Sequence, residues 1–441
     1  MASQETDFPV SERIPLSEEE QRLLDEATLT DPAIQAHARP YYRAMRHGDP
    51  IHYDEKLGSY LVTRHEDIWA VQSDPITFSV HHGYHDFQAK GLQDEFRAYL
   101  REHGGGYFPD AIMSDPPYHT RIRKLMEQAF TAHRVKELEP RITEVVANLV
   151  KEVLDRSDGT CDAVKDIAQP LTIRVIVEQL GLDHGMEEQI VRWSAAVTAQ
   201  ISAMQNEETM LENAKQIAEL QNYLIGKMRE REANPGEDMI SDLVHAEVTN
   251  EDGTKEKLTF EEGVSLVRAM LIAGNDTTAT AIGNLFYVLA TKPEMPGILD
   301  AVIDDDRKMN RFVEEHLRNE PPVRALSRAA TKDVEVNGTL IPKGSHMLLV
   351  YASGNDDETY FPEPRKFDME RPNLGRHVAF GGGPHRCIGL ALARMEVKVA
   401  AREIHRQMKN LKLAVPEDDL TFLKTVATRT IESLPITYER R

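Results

Sequence analysis

Phe380-Gly-Gly-Gly-Pro-His-Arg-Cys-Ile-Gly389 holds Cys387, one of two cysteines in the chain, and leads into LALARMEVKVAAREIHRQM, a strong helix former with an apolar stripe. The cysteine therefore lies just before or at a helix N-terminus. Unpaired backbone N–H groups and the positive end of the helix dipole favour a thiolate there. Gly381, Gly382 and Gly383 let the backbone fold tightly and turn further N–H groups toward the sulfur, which suits an anionic metal ligand. A single thiolate points to iron in a haem, because zinc and iron–sulfur sites draw on several Cys or His ligands and Cys161 is the only other thiol. The competing reading of a lone cysteine is an inert buried residue. The glycines, Phe380 and the helix start favour the ligand.

The rest of the chain bounds this reading. Its 441 residues carry 52 Lys+Arg against 73 Asp+Glu, a formal charge of −21, which argues against coating a nucleic acid. With 41% hydrophobic and 28% charged residues the chain can bury a large core. Two thiols are no disulfide framework and fit a reducing cytoplasm. The opening MASQETDFPVSERIPLSEEEQ has no signal-peptide pattern, and no apolar run is long enough to span a bilayer, so neither a membrane nor a nucleic acid is an expected partner.

Loop signals at Pro235-Gly236 and Asn250 to Gly253 are short, and no internal period appears. One continuous domain, 1–441, is expected, with about residues 1–20 as an N-terminal tail. From Thr120 to Met295 the pattern is helical: TRIRKLMEQAF, EPRITEVVANLVKEVLD and LENAKQIAELQNYLIGKMREREA place apolar residues three and four apart. Strand signals gather at Ser59–Thr63, at Val334–Ile341 with its Asn337-Gly338 turn, and at His346–Tyr351. The fold class is mainly α with small β-sheets near both ends (α+β).

The stretch around Cys387 resembles the cytochrome P450 haem loop, Phe-x-x-Gly-x-x-x-Cys-x-Gly, at Phe380, Gly383, Cys387 and Gly389. The resemblance extends from about Pro40 to Ile436. It implies the cytochrome P450 fold as one large triangular haem domain, haem b as cofactor, and Cys387 as the axial ligand of its iron, with Phe380 and Gly381 beside it. Upstream, Glu315 and Arg318 share a helix face before Pro321-Pro322. Such pairs are usually solvated and worth little. The resemblance adds Arg371, in Phe367-Asp-Met-Glu-Arg-Pro-Asn373, and makes the three a buried network that specifies the fold.

Ala273-Gly-Asn-Asp-Thr-Thr278 interrupts a long apolar helix whose expected N-cap is Thr259, with Glu262 closing a capping box. A glycine and an acid there are expensive, and the bland alternative is backbone hydrogen bonding by a threonine, plausible at Thr278. The resemblance assigns Ala273 and Gly274 to the haem face, makes Gly274 room for dioxygen, and gives Asp276 and Thr277 the delivery of protons. It further assigns the haem propionates to His119 and Arg123, four apart in a helix, to Arg328 and to His385. Cys161 has no ligand partner nearby and reads as structural.

The implied activity is hydroxylation of an apolar small molecule, a terpenoid, steroid, aromatic or fatty acid, by a cytoplasmic, O2-dependent haem-thiolate monooxygenase of bacterial type. Electrons are expected from a ferredoxin or flavodoxin and its NAD(P)H-dependent reductase, since only 54 residues follow Cys387. Arg121, Arg123, Lys124, Arg376, His377 and Arg386 are a possible steering patch for such a partner; ordinary surface charge is the alternative. The implied pocket draws on residues 83–114, 185–232, Val267–Thr278, Val323–Leu326 and Val426-Ala427. Arg324 is either a contact for a substrate carboxylate or structural. A peroxide-using enzyme of the same fold and a non-catalytic haem carrier are the competing functions, and the acid–alcohol pair argues against both.

Overall fold

A computed structural model describes residues 12–85, 90–129, 132–156, 159–201, 207–249 and 253–441. Part of the expected tail and of the loop beginning at Asn250 lie outside the described residues. The chain is helical from Glu18, where Ser17 and Glu20 form a capping box, so residues 17–20 open a helix and are not tail. The described residues group into two compact units.

The first unit takes the chain up to residue 87, then Leu317–Cys387 and Val426–Arg429. Its centre is a five-stranded sheet in the order Ile51–Asp54, Ser59–Val62, His346–Leu349, Leu326–Ala330, Phe78–Ser79. Ser59–Val62 and His346–Leu349 pair in parallel and the other neighbours are antiparallel, with His346 opposite both Ser59 and Ala329. Val62, Met347 and Leu349 are buried with Ile68, Phe78 and Tyr351 in one apolar cluster. The hairpin Val334–Val336 and Thr339–Ile341 turns at Asn337 and Gly338, which both take positive φ as a type I′ turn requires. Two of the five strands were foreshadowed by their sequence. Leu326–Ala330 was not, because LSRAA has no alternation of its own and becomes a strand by lying between two others.

The second unit comprises residues 88–316, 388–425 and 430–441. It is built around Phe260–Thr291, a 32-residue helix buried on nearly every side. Helices Gln169–Leu180, Glu187–Ile201, Glu207–Ala233 and Leu390–Gln407 pack against it. A three-stranded sheet of Met408–Leu413, Pro435–Arg440 and Thr160–Asp162 completes the unit. Its last strand lies mid-chain, which corrects the expectation of sheets near the two ends. Cys161 pairs with Ile436 there, and burial pushes its thiol up to about 12, the state of a structural cysteine.

Thr259 caps the long helix as its sequence implies: Glu262 N donates to Thr259 Oγ1 at 3.2 Å, and Thr259 N donates to the Glu262 carboxylate at 2.8 Å. Replacing Thr259 by Ala is expected to lower unfolding stability by about 1 kcal/mol. A urea titration should show a lower midpoint at unchanged slope.

Candidate functional site

In the first unit the cysteine loop lies against helix His65–Ser73. A Cβ on Gly382 would collide with the Gln72 amide, and one on Gly383 with the Gln72 carbonyl. Gly381 and Gly383 also hold φ of +61° and +60°, the left-handed region. The glycines are thus demanded first by a close helix. The Cys387 N–H donates to Phe380 O at 3.0 Å and closes the loop on itself. The next helix begins at Leu390, so Cys387 precedes it as expected. Cys387 and Phe380 are both half-buried.

Around this loop sit two residues that sequence reasoning missed. Gln72 is 1% exposed and its amide makes no hydrogen bond among the described residues. Tyr351, also buried, has its phenol pushed up by burial, with the nearby Arg328 guanidinium opposing. Its hydroxyl lies 3.6 Å from where a Gly381 Cβ would stand, so Arg328, Tyr351 and Gly381 share one neighbourhood. Arg328 is 3% exposed and donates to Ser327 O at 2.7 Å. His385 is half-buried within the loop.

Arg318 and Arg371, both buried, secure the segment ahead of the loop through its backbone. Arg318 reaches Asn355 O and Pro364 O, and Arg371 reaches Pro362 O, Glu363 O and Lys366 O. Glu315 is buried on the helix that carries Arg318. Arg324, the doubtful substrate contact, is 1% exposed and donates to Gln35 O at 3.0 Å, a structural placement.

In the second unit the decisive feature is one open strip along the buried helix Phe260–Thr291. Ala273 is exposed, and Gly274, Asp276 and Thr277 are half-buried, while Asn275, Thr278 and their neighbours on the other faces are closed. Asp276 Oδ2 accepts from Thr198 Oγ1 at 2.7 Å, and Oδ1 from Asn275 Nδ2 at 3.0 Å. Asn275 in turn accepts from Thr172 Oγ1 at 2.7 Å. No cation pairs with Asp276 among the described residues, and burial raises its pKa against the opposing Thr198 bond. Thr277 Oγ1 donates to Ala273 O at 2.8 Å, so the backbone bond considered for Thr278 is made by Thr277 instead. A Cβ on Gly274 would lie 3.3 Å from Ile176 Cδ1, so this glycine also lets a neighbouring helix approach. Thr198 had one signal in the sequence: Ser194 and Thr198 are polar residues four apart on a helix face that also buries Trp193 and Val197.

His119 is 5% exposed, and Arg123 pairs with Glu127 at 2.9 Å. The proposed basic patch is thinner than its sequence implied. Arg121 is taken by Glu262, whose position the helix cap sets, and His377 is buried; Lys124, Arg376 and Arg386 are exposed.

The donor set fits a haem. No group of three His, Cys, Asp or Glu able to hold a metal ion exists among the described residues, so an iron held by Cys387 alone would bring its remaining ligands in a macrocycle. No helix among them is long and apolar enough to cross a membrane.

Comparison with known proteins agrees with this geometry. The family model described as Cytochrome P450 matches residues 54–427. The 6-deoxyerythronolide B hydroxylase of Saccharopolyspora erythraea is 33% identical over 90% of this chain and 94% of its own. The vitamin D(3) 25-hydroxylase of Pseudonocardia autotrophica is 32% identical over 90% and 93%. Among solved structures, cytochrome P450 CREJ in complex with (4-ethylphenyl) dihydrogen phosphate superposes with a TM-score of 0.83 at 28% identity, covering 93% of this chain and 99% of that one. A glycine-cradled cysteine, an acid–alcohol pair on an otherwise buried helix and a match across most of the chain lead to one conclusion: the chain belongs to the cytochrome P450 family, monooxygenases whose cofactor is haem b.

Proposed function

We propose that this protein hydroxylates an apolar small molecule, of the terpenoid, steroid, aromatic or fatty-acid kind, with electrons from a ferredoxin or flavodoxin and its NAD(P)H-dependent reductase. The observation that carries the reading is Asp276, a half-buried carboxyl group with no cationic partner among the described residues, next to Thr277 on the open strip of its helix. The haem would supply the electron-rich iron at which dioxygen is reduced. Cys387 is the residue that holds it. Arg328, His385, His119 and Arg123 are the donors for its propionates, since buried carboxylates need charged or N–H partners.

Asp276 and Thr277 then deliver protons. Burial disfavours the carboxylate, so Asp276 keeps a proton to higher pH than an exposed aspartate, while Thr198 and Asn275 fix both of its oxygens. The Thr277 hydroxyl spends its hydrogen on Ala273 O, which leaves its lone pairs for a proton or a water on the open side. Hydroxylase relatives support the reaction type. The exposed Arg376 and Arg386 suit attraction of an acidic electron carrier, an effect that weakens with salt.

The reduced protein with carbon monoxide is expected to give a strongly red-shifted Soret band that Cys387→Ser lacks. Haem binding without that band in the wild type would remove Cys387 as ligand. Asp276→Asn and Thr277→Ala are each expected to lower product formed per electron pair by about tenfold and to raise peroxide release, as loss of a general acid does. Unchanged coupling in both would make the pair structural. Asp276→Asn should also change the pH dependence of stability. The raised folded-state pKa means the native state holds this proton more tightly than the unfolded chain, so stability falls as pH rises above the ordinary carboxylate range. The variant should lose that slope in a series of thermal melts.

A further inference from the structure

Residues 103–111 start at the last residue of helix Lys90–His103 and include Gly104-Gly105-Gly106, with φ of +72° at Gly105 and +140° at Gly106. So glycine-rich a segment is intrinsically loose. Yet six of its backbone groups are held by side chains from two other helices. Asn222 Nδ2 donates to His103 O at 2.7 Å, and Gln221 Nε2 donates to Gly104 O at 3.0 Å and Gly106 O at 3.1 Å. Arg268 Nη2 donates to Phe108 O at 3.1 Å; Ser265 Oγ donates to Pro109 O at 2.7 Å and accepts from Ala111 N at 3.1 Å.

Gln221 and Arg268 are the hub of this strap. Arg268 Nη1 donates to Gln221 Oε1, which turns the Gln221 amide nitrogen toward the two glycine carbonyls. Gln221 is fully buried and Arg268 is 9% exposed. Arg268 makes no ion pair with a carboxylate among the described residues; its hydrogen-bond acceptors are neutral, and the Asp110 carboxylate of the strapped segment attracts it only through space, against a larger cost of burial. A buried cation so placed costs more than an apolar side chain of its volume would, so stability alone does not account for it. What it does is hold Phe108 and, through Gln221, the glycines.

The strapped segment matters because of where it lies. Phe108 and Ala111 are buried in the same apolar cluster as Met270 and Ile272, on the helix whose open strip carries Ala273 and Thr277. We propose that Arg268, acting through Gln221, is a specificity-determining positioning residue: it makes 103–111 a fixed wall of the ligand pocket, which bulky ligands must fit. This rests on the reading of the protein as a haem enzyme with its pocket along that strip.

The test is stopped-flow binding of two iron ligands, imidazole and the bulkier 4-phenylimidazole, to the haem-loaded protein. Arg268→Met removes both donors, whereas Gln221→Glu keeps a partner for Arg268 and removes the amide donors to Gly104 and Gly106. Both variants are expected to bind 4-phenylimidazole about fivefold faster and imidazole at the wild-type rate, because only the larger ligand waits on the wall to move. Wild-type rates for both ligands, or an equal change in both, would overturn the proposal. In the wild type itself, the amide of Ala111, which donates to Ser265 Oγ, should exchange with solvent about a hundredfold slower than in an unstructured chain. Exchange at the unstructured rate would overturn it whatever the variants do. The carbon monoxide band separates the two levels: its absence in the wild type counts against the haem-thiolate reading, and its presence with unchanged ligand rates counts against the strap alone.

Discussion

A carboxyl group halfway along an apolar helix is tolerated only if each oxygen finds a donor, and that constraint organises the second unit. Asp276 has its two bonds from Thr198 and Asn275, on different elements, and Asn275 is itself held by Thr172 on a third. Three helices are therefore registered against one another by a few short hydrogen bonds in an otherwise apolar interior. Leaving any of these groups unpaired would cost about 1–3 kcal/mol, so the packing of the helices and the pose of the acid stand or fall together. With no cation paired to Asp276 among the described residues, burial and the opposing Thr198 bond set its protonation, and burial prevails.

The first unit solves a different problem, the placement of Cys387 on a loop. Loops are soft, and this one is made stiff by contact: helix His65–Ser73 comes so close that only glycine fits at Gly382 and Gly383. The Cys387 N–H closes back on Phe380 O. The preceding segment is clamped by Arg318 and Arg371, which spend their guanidinium donors on backbone carbonyls from Asn355 to Lys366. Buried arginines used this way add little net stability, because desolvation offsets the bonds. Their effect is to give an irregular segment one conformation.

The same device recurs in the second unit at Arg268, where a buried guanidinium holds one loop carbonyl, Phe108 O, and the Gln221 side chain. In both places the chain keeps a charge in its interior to fix a stretch that has no secondary structure of its own. Arg324 is also buried but serves an ordered element, donating to Gln35 O in the short helix Pro32–Ala36.

What the sequence determined by itself is what local physics encodes. The Thr259–Glu262 cap, the Asn337-Gly338 turn, the helix after Cys387 and the acid–alcohol pair all depend on residues within a few positions of one another, and each was legible before any coordinates. The haem loop was legible as a motif, although nothing in it announced that a neighbouring helix also requires glycine at Gly382 and Gly383. Only the tertiary structure decided the bond from Thr198 to Asp276, the strand at Leu326–Ala330, the pairing of Cys161 with Ile436, the loss of Arg121 to Glu262, and the strap on residues 103–111. Each joins residues tens to hundreds of positions apart, and a hydrogen bond between such residues leaves no periodicity in the chain from which to read it.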